Sequence, residues 1–70
     1  MEERYENTTI MITVGLGERR MRWKPICRVK FMKRGREVIK DLELDLDYGT
    51  SEQAERAGLA FSKKWVDAKL

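Results

Sequence analysis

Histidine is absent from this sequence, and cysteine and proline each occur once, at Cys27 and Pro25. Without histidine or a second cysteine, neither a Cys/His zinc cluster nor an internal disulfide can form, so packing alone must hold the fold together. General acid–base work would fall to carboxylates, lysine, tyrosine or the one thiol. No apolar run exceeds a few positions, which is far short of the roughly 20 residues a membrane-spanning helix needs. The first seven residues, MEERYEN, are charged where a secretory leader would be apolar. The expectation is a cytoplasmic protein with no membrane partner, whose lone thiol stays reduced.

What is present is charge, unevenly placed. Seventy residues carry a net +3. A single domain of that size buries only about 60% of the surface its unfolded chain exposes, which leaves a thin core. Residues 19–40 hold ten basic side chains against the one acid Glu37, whereas residues 41–55 hold six acids and no base. Such a split marks either an anion-binding patch or two neighbouring strands that pair opposite charges.

Residues 1–7 are polar and carry no period, so they are expected to be a flexible terminus ahead of one domain over residues 8–70. Residues 8–16 alternate, with Ile10, Ile12, Val14 and Leu16 on one face. A turn follows, then a β-rich run over 23–32 with Cys27, Val29 and Phe31 as its apolar set. Lys33-Arg34-Gly35-Arg36 reads as a tight hairpin with Gly35 free to take positive φ. Residues 37–48 form a third expected strand, in which Leu42, Leu44 and Leu46 alternate with Glu43, Asp45 and Asp47.

A two-residue loop at Arg34-Gly35 sets Cys27 opposite Leu42 and Phe31 opposite Val38; the first hairpin sets Ile12 opposite Cys27 and Ile10 opposite Val29. Both hairpins therefore agree on one buried face. Lys40 falls on that face and Pro25 cannot donate to a ladder, so a bulge near Lys40 and regular pairing only beyond Pro25 are expected. Thr50 with Gln53 forms a capping signature for a helix over 51–68, whose apolar stripe is Ala54, Ala57, Gly58, Phe61, Trp65 and Ala68. Leu59 and Val66 project off that stripe. The fold expected is α+β: a three-stranded antiparallel β-meander packed on one C-terminal α-helix (βββα).

No residues converge for catalysis. Cys27 lies on the predicted buried face, where an apolar setting makes a thiol inert. The acids Asp41, Glu43, Asp45 and Asp47 look like a metal run, but same-face strand neighbours stand about 6.6 Å apart and the register offers them Arg28, Lys24 and Arg22 as partners. We therefore expect no catalytic, cofactor or metal site.

Two surfaces remain. The basic turns, with Arg19, Arg20 and Arg22 at one end and Lys30, Lys33, Arg34 and Arg36 at the other, are candidate nucleic-acid contacts about 30 Å apart along the middle strand. Met11, Ile26, Met32 and Ile39 fall on the sheet face away from the helix and are candidates for docking a protein partner or a second copy in a homodimer.

The strand order and the residues Tyr48, Thr50, Glu52, Gln53, Ala54 and Ala57 at the helix start resemble the plant AP2/ERF-type DNA-binding domain and the related integrase N-terminal domains. That resemblance implies a three-stranded sheet entering the major groove, with Lys24, Arg28 and Lys30 of the middle strand in the comparable places. The third strand here carries Asp41, Glu43 and Asp45 instead of cations. The chain also looks like short uncharacterised bacterial proteins that join a β-hairpin to an Ala-rich helix, for which no activity is implied. The expectation from the residues is a small non-enzymatic interaction domain with a protein partner; the alternative is weak nucleic-acid binding through the basic turns.

Overall fold

The computed structural model describes residues 1–17 and 21–70. Four strands, β1 (Glu2–Tyr5), β2 (Thr8–Leu16), β3 (Trp23–Lys33) and β4 (Arg36–Leu42), form one antiparallel meander in the order β1-β2-β3-β4, followed by α1 (Ser51–Lys69). The α+β class and the closing helix are as expected, but the sheet has four strands rather than three.

The added strand comes from the segment expected to hang free. Glu6 (φ 49°) and Asn7 (φ 63°) make a two-residue turn in left-handed backbone, which sets Tyr5 opposite Thr8 and Glu3 opposite Ile10. Tyr5 thereby joins the partly buried rim of the core. Its hydroxyl donates to the Asp67 carboxylate at 2.9 Å, and Lys63 Nζ sits 2.7 Å from Glu3 Oε2 and 5.4 Å above the Tyr5 ring, tying β1 to the helix.

The β2–β3 register follows the alternation, with Ile12 opposite Cys27 and Ile10 opposite Val29, all four fully buried. The β3–β4 turn places Arg34 (φ 53°) and Gly35 (φ 77°) at its apex, so Phe31 faces Val38 and Cys27 faces Leu42. No bulge interrupts β4: Val29 faces Lys40 in continuous register, and Lys40 is exposed. The reason lies in the helix, which packs on β2 and β3 and leaves the core-side face of edge strand β4 open to water at Arg36 and Lys40, while Leu42 at its end is buried.

The third expected strand stops at Leu42 instead of reaching Tyr48. Trp23 exchanges two backbone hydrogen bonds of 2.8 Å with Tyr48, so the β3 amides of that parity point toward β4. The next position of that parity is Pro25, which has no N–H to give, and the ladder is missing there. Leu46, expected inward, is 57% exposed.

Thr50 caps α1 by accepting from the Gln53 N–H at 3.1 Å. The buried row is Ala54, Gly58, Ser62 and Val66, spaced by four, with Phe61 and Trp65 on its flank and Ala68 exposed. Val66, expected off the stripe, is therefore core. Ser62 is tolerated inside because its hydroxyl donates to the Gly58 carbonyl at 2.8 Å. Among the described residues no helix is long and apolar enough to cross a membrane.

Candidate functional site

Pleating sends Pro25, Cys27 and Val29 of β3 toward the helix and Lys24, Ile26, Arg28, Lys30 and Met32 away from it. The pairing aligns Met11 with Arg28, Thr13 with Ile26, Lys30 with Ile39 and Met32 with Glu37 on that outer face. All four candidate docking residues thus share the helix-free side. Ile26 is 56%, Met32 63% and Ile39 55% exposed, while Met11 is partly covered. Met11 and Ile26 lie diagonally at one end; Ile39 and Met32 lie diagonally at the other.

Between these apolar pairs runs a belt of ion pairs. Arg28 Nε meets Asp41 Oδ1 at 2.7 Å and Lys30 Nζ meets Glu37 Oε1 at 3.4 Å. Further along, Lys24 Nζ lies 3.3 Å from Asp45 Oδ1, and Arg22 holds Asp47 through Nε to the carboxylate and Nη2 to the carbonyl, both at 3.0 Å. These surface pairs contribute at most about 1 kcal/mol each, but they cancel charge across the face.

The candidate nucleic-acid contacts are divided by the same geometry. Arg22 and Lys30 are engaged with acids. Lys33, Arg34 and Arg36 are exposed at the β3–β4 turn and have no acidic partner among the described residues. Arg19 and Arg20 lie outside the described residues. The chain matches no family model, no curated protein and no solved structure. What it does must therefore be argued from these surfaces.

The remaining chemistry-bearing group is Cys27. It is fully buried, its Sγ lies 3.7 Å from the Gly58 carbonyl, and burial pushes the thiol pKa up, with a smaller downward pull from the Ser62 hydroxyl. A raised folded pKa means that unfolding favours the thiolate. The stability this group contributes is full below the ordinary thiol range and is lost as pH climbs through the raised value. Native protein at neutral pH should resist iodoacetamide while urea-unfolded protein is alkylated at the rate of a free thiol, as read by mass spectrometry. Rapid labelling of the native chain would mean that Cys27 is accessible and ionised. Among the described residues no three acidic or cysteine side chains group as metal ligands.

Proposed function

We propose that this chain is a small non-enzymatic interaction domain whose helix-free sheet face docks a protein, either a different chain or a second copy of itself. The observation that carries this reading is the pairing on that face: Ile26, Met32 and Ile39 are more than half exposed, while Arg28 and Lys30 between them are neutralised by Asp41 and Glu37. Covering such a face removes apolar area from water without stranding an unpaired charge.

Sedimentation of the wild-type chain and of the Ile26→Lys/Ile39→Lys variant tests the proposal. A second copy gives a concentration-dependent dimer that the variant loses. A different protein gives a monomer whose chemically cross-linked partner is recovered with the wild type and lost with the variant. A strict monomer with the same cross-linked partners in both forms rejects the face.

A second reading, nucleic-acid binding, draws on Lys33, Arg34 and Arg36 crowding one turn without acidic partners among the described residues. The suggested AP2/ERF-type likeness favours it, and the acids of β4 and the segment after it count against a broad phosphate contact. On this reading, affinity for a short duplex falls with salt by about 0.9 log unit per log unit for each phosphate neutralised. It also weakens in Arg34→Glu/Arg36→Glu, whereas the docking face is indifferent to that variant.

A further inference from the structure

The helix covers β2 and β3 but leaves β4 open ahead of Leu42, and the space between is a groove of about 410 Å³. Its floor is apolar: Phe31, Val38 and Trp65, the two rings packed at 6.1 Å and tilted by 47°. Its rim is cationic: Lys33, Lys40 and Lys69, none in an ion pair among the described residues, with Leu70 as the remaining lining residue. Arg36 continues the same row on β4, since it pairs with Lys33.

β4 is also the free edge of the sheet. Because β3 amides of the Trp23 parity point toward β4, Val38, Lys40 and Leu42 bond inward, and Glu37, Ile39 and Asp41 turn their N–H and C=O groups to the open side. An edge of this kind is a template for an added strand.

We propose that β4 and its groove bind an extended acidic peptide segment as a fifth strand. The row Arg36, Val38 and Lys40 selects acidic, apolar and acidic residues at alternate positions of the incoming strand, the central apolar side chain meeting Val38 and Trp65 and the acids meeting the cations. Pairing of the edge with a second copy of itself is disfavoured, because two copies of β4 centred on Ile39 would set Glu37 against Asp41, which is a like-charge clash. The groove lies on the helix side of the sheet and shares only strand β4 with the docking face, and its readout is peptide binding to Trp65 and Lys40 rather than self-association or partner capture.

The probe is acetyl-Ser-Glu-Thr-Val-Thr-Glu-Ser-amide, titrated into the ¹⁵N-labelled chain, with the peptide carrying Lys in place of both Glu as its control. The acidic peptide should shift the amides of Glu37, Ile39 and Asp41 and the Trp65 indole, and the basic control should not. Ile39→Pro removes one edge donor and no bond within the sheet, so binding should weaken about fivefold, the loss expected for one hydrogen bond. Lys40→Glu should weaken it about tenfold or more, and Arg34→Glu, at the turn apex and outside the groove lining, should weaken it less than Lys40→Glu does. If Ile39→Pro fails to fold, the probe N-methylated at both threonines, whose N–H groups face β4 when the peptide pairs antiparallel with its valine opposite Val38, must bind more weakly than the unmodified probe. No shift at millimolar peptide, equal binding of the two peptides, or indifference to both backbone changes overturns the proposal. So does tighter binding of an oligothymidylate to the same residues with loss in Arg34→Glu, which would make the groove a nucleic-acid site.

Discussion

Gly58→Leu is expected to leave the chain largely unfolded, and Gly58→Ala to destabilise it by about 1 kcal/mol even though alanine is the better helix former by about 0.8–1.0 kcal/mol. A Cβ on Gly58 would stand 3.0 Å from Pro25 Cβ, 3.1 Å from Cys27 Sγ and 3.2 Å from Ile12 Cγ2. Those atoms belong to two adjacent strands, and Cys27 and Ile12 are fully buried, so none can swing aside. Room can come only from lifting α1 off the sheet. Overpacking of this kind costs roughly 1–3 kcal/mol for a small addition and more for a leucine. A domain of this length has only about 3.5–10 kcal/mol to lose. Urea titrations followed by far-UV circular dichroism measure both variants; a Gly58→Ala midpoint above wild type would mean that the helix does not approach the sheet at this position.

Ile12→Ala should cost about 2–5 kcal/mol, and Trp65→Ala should cost less despite the larger side chain removed. Ile12 is fully buried beneath the Gly58 row, whereas Trp65 is only partly buried on the flank, where its ring meets Phe31 and the open groove. Paired urea titrations decide the order. If Trp65→Ala proves the more damaging, the helix is turned so that Phe61 and Trp65 face the sheet squarely, as the apolar stripe in the sequence suggests.

That difference shows what the sequence could and could not disclose. The β2–β3 and β3–β4 registers were legible because period-two alternation and the Arg34-Gly35 turn constrain each other: a one-residue slip would carry Ile10, Ile12, Cys27 and Val29 into water. The Arg28–Asp41 pair followed from the same register, the Lys24–Asp45 and Arg22–Asp47 pairs form as expected although the ladder ends at Leu42, and the Thr50 cap followed from its spacing to Gln53.

The helix face was misjudged because Ser62 reads as polar, yet its hydroxyl is satisfied by the carbonyl one turn back and it occupies the buried row. β1 was missed because only Glu3 and Tyr5 face the core side and its turn has no glycine; Asn7, which tolerates left-handed backbone, was the available signal. The run after Leu42 keeps strand periodicity without a strand because alternation reports a face and not a partner, and Pro25 withholds the donor the ladder would need. The groove beside β4 could not be read at all, since it exists only through where the helix comes to rest across the sheet.

The claim on which the functional reading depends is that the sheet has one face sealed by the helix and one face bare. The chain has four isoleucines: Ile10 and Ile12 on the sealed face, Ile26 and Ile39 on the bare one. In a dilute monomeric sample labelled at the isoleucine δ1 methyls, an inert soluble gadolinium chelate should strongly accelerate relaxation of Ile26 and Ile39 and leave Ile10 and Ile12 nearly untouched. Equal shielding of all four methyls would mean that the outer face is covered within the chain itself, and would contradict the account.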